Sequence, residues 1–432
     1  MPTIVVFCHL RWDFVYQRPQ QLLSRLARHY RVLFIEEPVH TDGDSFLHQS
    51  SPVANITVCR PHTPNHAGGF HDDQIPLLQP LLATVIDPGE RPIVWFYTPM
   101  ALPLLQDLQP SLVVYDCMDE LAAFKNPPKQ LLQRETALLN LADLVFTGGP
   151  SLHEAKRERY PNAHCFPSSV DVRHFRRSLE RDASHSLQQS IPHPRLGFYG
   201  VIDERFDSDL MGAVADAHPD WHVVLVGPVV KINRANLPQR PNIHYLDQQG
   251  YEDLPAFLAG WDVCLLPFAL NDATRFISPT KVLEYMAAEL PIVSTPIADV
   301  ERPHGHVVAI ARDPAAFVAA CEAALAQNAD ERAAMLATMR GIVAGTSWDV
   351  TANAMHGLIE QAPRRSSAPS FVAADKDGAS AANTAAGATA RVNPLRAQGA
   401  AQKVQTAGTA SGAPGHSKIY PLDEGTVFLE KK

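Results

Sequence analysis

One rhythm limits the folds open to this chain more than any other feature. Short apolar runs of strand length alternate with helical stretches, and the alternation runs twice. In the first pass, residues 4–7, 32–35, 93–97, 112–115 and 144–147 read as strands, with helices at 20–27, 130–141 and 152–159. A polar stretch at 176–193 reads as a linker. In the second pass, strands at 196–199, 223–226, 243–246, 263–266, 292–294 and 307–310 alternate with helices at 209–217, 254–259, 281–288 and 314–327. Alternation of this kind predicts mainly parallel sheets with helices on both faces. Two such α/β units leave a cleft at the carboxyl ends of their strands, where open sheets bind ligands. The expected plan is a doubly wound domain over 1–175, the linker, a second doubly wound domain over 194–342 and a closing helix over 343–362. From residue 363 to 432 Ala, Gly, Ser, Thr and Gln dominate, so a disordered tail is expected there. A more apolar end at 419–429 reads as part of that tail or as a short docking strand.

Composition narrows the function. The 432 residues are 46% hydrophobic, which allows sizeable cores. A net charge of -9 with 19% charged residues argues against nucleic-acid binding, which usually brings a basic excess. Six cysteines show no metal or redox spacing and fit a reducing cytoplasm. The opening residues read as a first strand and not a signal peptide. No apolar run reaches the roughly 18 residues of a membrane span.

The richest segment lies between two strand runs: Arg275, Phe276, Ile277, Ser278, Pro279, Thr280 and Lys281, then Glu284. A strand feeds a loop and the loop opens a helix, with Ser278 expected as N-cap and Pro279 as first helical residue. Lys281 and Glu284 share one helix face. Free amides and a lysine suit a diphosphate, and a carboxylate one turn on suits ribose hydroxyls. The plain alternative is a capped surface helix with a weak Lys–Glu pair.

This segment resembles the donor-binding stretch of GT-B glycosyltransferases of the retaining nucleotide-sugar group, and most of all bacterial enzymes of cell-envelope polysaccharide synthesis. Gly200, Arg205, Ser278, Thr280, Lys281 and Glu284 would then bind the donor. Three further places fit the same resemblance. The loop from His9 to Arg18 would line the acceptor side, with His9, Trp12 and Arg18 as binding residues; a core tryptophan with solvated arginines is the alternative. Asp119 follows a buried strand with Asp116 and Glu120 and would act as acid, base or acceptor ligand, unless it caps the next helix. The stretch from Cys165 to Phe175 resembles the family's hinge, with Ser168 and Ser169 in place of Asn-Gly.

Asp207 and Asp209 imitate a metal motif but read as a helix cap. Relatives carry a first glutamate where Phe276 stands, so Asn271, Thr274 and Arg275 are the expected sugar contacts. Lys231, in the turn after Gly227, is an added phosphate candidate. Asp119, Arg205 and Lys281 are the expected catalytic residues, with no metal or other cofactor. The resemblance implies a hexosyltransferase. It would move a sugar from a nucleotide-diphosphate donor to a glycan or lipid-linked acceptor, in the cytoplasm or at the inner membrane face, leaving peripheral membrane contact open. A sugar-nucleotide epimerase of the same fold and a non-catalytic sugar-nucleotide-binding assembly protein are the alternatives.

Overall fold

A computed structural model gives the structure of residues 1–180 and 184–366. The expected tail lies outside the described residues from 367 onward, as do residues 181–183 of the expected linker.

The first sheet holds β1 (Thr3–Cys8), β2 (Arg31–Glu36), β3 (Val39–His40), β4 (Phe46–Val53), β5 (Ile56–Thr63), β6 (Ile93–Phe96), β7 (Leu112–Cys117), β8 (Leu144–Thr147) and β9 (Ala163–Cys165). Its order is β3-β5-β2-β1-β6-β7-β8-β9, and β4 pairs antiparallel with β5. The second sheet is wholly parallel. It holds β10 (Arg195–Tyr199), β11 (His222–Val226), β12 (Ile243–Tyr245), β13 (Val263–Leu266), β14 (Ile292–Ser294) and β15 (Ala309–Ile310), in the order β12-β11-β10-β13-β14-β15. Central strands such as β1, β7, β10 and β13 are buried along their whole length, as strands covered on both faces must be. This is the α/β, twice-repeated parallel architecture that the alternation predicts.

Strand order fixes where ligands can sit. β1 lies between β2 and β6, and β10 lies between β11 and β13. Each sheet reverses direction there, and the loops leaving β1 and β10 rim the resulting crevice. His9 to Arg18 leave β1; Gly200 to Arg205 leave β10.

The hairpin of β4 and β5 is absent from the sequence reading. β4 is almost entirely exposed and carries Pro52 at a register shift, so it has no apolar period to detect. The helices Ile75–Leu82 and Ala298–His304 were likewise not expected; each contains an internal proline, which disguises a helical pattern.

The helix Trp348–Gln361 returns to the first lobe. Trp348, Ala352, Met355 and Ile359 recur at helical spacing and enter the core built by Leu22, Leu26, Tyr30 and Trp95. Arg365 follows it onto the same lobe: its amide donates to the Ser111 carbonyl at 2.9 Å and its Nε to Asp143 at 2.6 Å.

Candidate active site

Most of the residues singled out by sequence meet in one cleft between the lobes. Arg18, Asp119, Gly200, Arg205, Ser278, Thr280, Lys281 and Glu284 all line it, with Tyr16, Ser168, Tyr199 and Tyr251. Its cavity is about 170 Å³. Pockets for drug-sized ligands run to roughly 300–1,000 Å³, so the cleft is smaller than such a ligand needs. The seam includes polar and aromatic contacts. The Gln21 amide meets the Tyr251 hydroxyl at 2.9 Å, and the rings of Tyr16 and Tyr251 stack at 4.6 Å. Ser168 Oγ donates to the Ser278 carbonyl at 3.0 Å, and the Ser151 amide to Asp299 Oδ1 at 3.0 Å.

The donor segment differs from expectation at its start. The helix runs Lys281–Ala287 with Thr280 as N-cap, so Ser278 is not the cap and Pro279 is not the first helical residue. The amides of Leu283 and Glu284 reach back to the Thr280 carbonyl, while the Ser278 carbonyl is taken by Ser168 across the seam. Lys281 and Glu284 do not pair as the plain reading had it. Glu284, 8% exposed, accepts from the Tyr199 hydroxyl. Burial pushes its carboxyl up, with Tyr199 and Lys281 pulling the other way. Among the described residues no carboxylate lies within ion-pair distance of the Lys281 ammonium, which sits 5.8 Å from the Phe198 ring centroid. Burial lowers its pKa, with Glu284 opposing.

The β10 loop is shaped around that lysine. Gly200 has φ +142°, and a Cβ there would collide with Lys281 Cε. Gly227 has φ +148°, and its Cβ would strike the Gly200 carbonyl, so the two turns nest only as glycines. Arg205 is forked onto Asp203 at 2.7–3.1 Å and lies 5.3 Å from the Phe124 ring of the first lobe. Burial works against its charge, but Asp203 outweighs it and raises the pKa. Asp119 faces Arg205 and Arg18 from the first lobe; burial raises its pKa and the two arginines oppose this.

Arg18 lines the cleft while committed elsewhere. It grips Asp116 at 2.8–3.2 Å and donates to the Phe166 carbonyl at 2.7 Å. Trp12 is not part of the lining: its ring meets Phe34 edge-on at 5.1 Å and its amide donates to Glu36. His9 is not among the lining residues; burial and then Lys231 lower its pKa to about 4.

Asp207 accepts from the Leu210 amide at 2.9 Å, the cap expected of it. Asn271 and Thr274 are not free for a sugar. They cap each other's backbone, and Asn271 also donates to the Glu204 carbonyl. Arg275 lies over Phe276 at 5.1 Å. Sequence reading missed Tyr199, Asp203 and Tyr251. Tyr199 and Asp203 flank Gly200 and Arg205, which was the available signal; Tyr251 had none, because its role arises from lobe contact.

Comparison with known proteins bears on the fold. Residues 195–327 match a model described as Glycosyl transferases group 1. A putative teichuronic acid biosynthesis glycosyltransferase, TuaH, of Bacillus subtilis (strain 168) is 27% identical over 267 residues, covering 56% of this chain and 66% of the relative's length. Sucrose-phosphate synthase from Thermosynechococcus elongatus superposes with a TM-score of 0.63 at 17% identity, covering 84% of this chain and 99% of that one. A structure titled trehalose-6-phosphate from E. coli bound with UDP-2-fluoro glucose gives 0.61 at 14% identity, covering 84% and 100%. At these identities the solved structures speak for the fold alone. The chain therefore has a twice-repeated parallel α/β fold that resembles these structures, and its second lobe resembles the glycosyl transferases group 1 model over residues 195–327.

Proposed function

We propose that the chain transfers a sugar, a hexose by preference, from a nucleotide-diphosphate sugar to a glycan or lipid-linked acceptor in bacterial cell-envelope or exopolysaccharide synthesis. The observation that carries this reading is the Lys281 ammonium, held in the cleft with no carboxylate within ion-pair distance among the described residues, above a glycine turn that admits backbone approach. A cation left without a counter-ion at such a turn fits an anionic ligand.

The roles follow the order of groups in the cleft. Glu284, held by Tyr199, offers its remaining lone pairs to ribose hydroxyls. Lys281 and Arg205 neutralise charge that grows on the departing diphosphate, which is electrostatic stabilisation supplied by side chains, with no metal or other cofactor required. Ser278 and Thr280 flank the diphosphate. Asp119 meets the acceptor from the first lobe, beside the wall that the Arg18–Asp116 pair holds in place. Retention of configuration rests on the resemblance of the donor segment. Inversion, with Asp119 as base, is the second reading, favoured by its place in the cleft and its raised pKa. Among the described residues no helix is long and apolar enough to cross a membrane. We place the enzyme in the cytoplasm, meeting lipid-linked acceptors at the inner membrane face by peripheral contact.

A thermal-shift screen of UDP, GDP, ADP, CDP and dTDP with their hexose conjugates tests this, because a ligand of the folded state raises the melting temperature. One nucleotide family should raise it, and Glu284→Gln should weaken that family's binding at least tenfold while the protein stays folded. A folded wild-type protein that responds to none of them overturns the donor assignment.

A further inference from the structure

Arg205, which lines the cleft, and Lys231 both lie over the Phe124 ring of the facing lobe, at 5.3 and 5.1 Å from its centroid. Tyr251 feels the charge of Glu284, and Glu284 that of Lys281. Lys281 feels Arg205, and Arg205 in turn feels Glu204. Glu204 Oε1 lies 3.9 Å from Lys231 Nζ. Lys231, over that ring, is also within electrostatic reach of His9. On the donor reading above, the nucleoside occupies the Tyr251 and Glu284 end and the diphosphate occupies Lys281 and Arg205. The end beyond Arg205 is then where the transferred sugar lies.

That end holds hydrogen-bonding capacity with nothing to bond. The Glu204 side chain is 3% exposed, and neither of its oxygens has a hydrogen-bond partner among the described residues. Lys231 at 3.9 Å is at ion-pair distance and beyond hydrogen-bond reach. His9 Nδ1 is also buried without a partner. A dry carboxylate that accepts no hydrogen bonds is costly. A carboxylate with its acceptor sites open and an ammonium with three donors together complement the hydroxyls of a sugar ring. Nearby alternatives are spent: Asn271 and Thr274 are used in their own turn.

We propose that Glu204, assisted by Lys231, binds hydroxyl groups of the transferred sugar and so selects which sugar the enzyme moves. The inference rests on the donor reading of the same cleft. Glu204 lies outside the residues that line the cavity and is the chain neighbour of Arg205, which does line it.

The test separates sugar from nucleotide. Wild type and Glu204→Gln are titrated calorimetrically with UDP, GDP and dTDP and with their glucose, galactose and mannose conjugates. The variant should bind the preferred free nucleoside diphosphate as wild type does, and lose at least tenfold on the preferred nucleotide sugar. Equal loss on both ligands would mark Glu204 as a structural carboxylate. No loss on either would mean that buried water satisfies it. Each of these results overturns the proposal. Lys231→Ala, at a partly exposed side chain, stands in if Glu204→Gln does not fold: a loss confined to the nucleotide sugar supports the proposal, and unchanged affinity for it overturns it. A wild type that binds no nucleoside diphosphate fails the donor reading itself, which is a separate and visible outcome.

Discussion

Arg18 and Lys281 face the same cleft from opposite lobes, and their surroundings differ in kind. Arg18 is 4% exposed, forked onto the fully buried Asp116 and bonded to the Phe166 carbonyl. Its charge is answered within the first lobe. Lys281 has no such partner, and the turns at Gly200 and Gly227 are shaped to leave room beside it. A cation whose charge is met by the fold holds the fold together; a cation left unmet is available to a ligand. The first lobe thus contributes a rigid wall, and the second the electrostatic work.

The sharpest way to break that contrast is to remove each cation in turn. Arg18→Ala leaves Asp116 charged and dry, so stability should fall by about 3–5 kcal/mol, the usual result of breaking a buried pair. Chemical denaturation measures it. A fully stable Arg18→Ala that merely loses acceptor use would show Arg18 to be a binding residue and erase the distinction between the lobes.

Lys281→Ala should do the reverse. Removing a partly buried, unpaired ammonium costs the fold little, while nucleoside diphosphate affinity or turnover should drop tenfold or more, about 1.4 kcal/mol or above. Melting temperature and ligand titration on one preparation give both numbers. A Lys281→Ala protein that unfolds early yet binds its nucleotide normally would reverse the assignment.

The contrast also explains what could be read from the sequence. Both parallel sheets were legible because strands buried on two faces are continuous apolar runs, as in β1, β7, β10 and β13. The edge hairpin of β4 and β5 was not, because its solvent-facing residues carry no such signal. In the site, Lys281, Glu284, Gly200 and Arg205 could be found since each lies within one strand–loop–helix unit. What escaped was long-range pairing. Nothing near Arg18 in sequence announces Asp116, 98 residues away. Nor does the segment from 275 to 281 reveal that Ser278 is bonded across the seam to Ser168, which accounts for the helix starting at Lys281. Asn271 and Thr274 were misread for a related reason: short polar side chains in a loop serve a turn as readily as a ligand.

The smallest expected effect lies where the two lobes meet outside the cleft lining. His9, from the first lobe, is held down to about 4 by burial and by the nearby Lys231 ammonium of the second. Its ordinary value is 6.5, so between pH 6.5 and 4 the unfolded chain binds a proton that the folded protein refuses. Stability contributed by the neutral ring is therefore complete above pH 6.5 and declines as pH falls through that window. At pH 6 the loss is about 1 kcal/mol for this one group. Other histidines titrate too, so the measurement is the difference between wild type and His9→Gln in denaturation free energy at pH 7.5 and pH 6. The variant should lose less stability than wild type on acidification. Parallel pH profiles would mean that His9 is already solvated, and that the seam between His9 and Lys231 is open in solution.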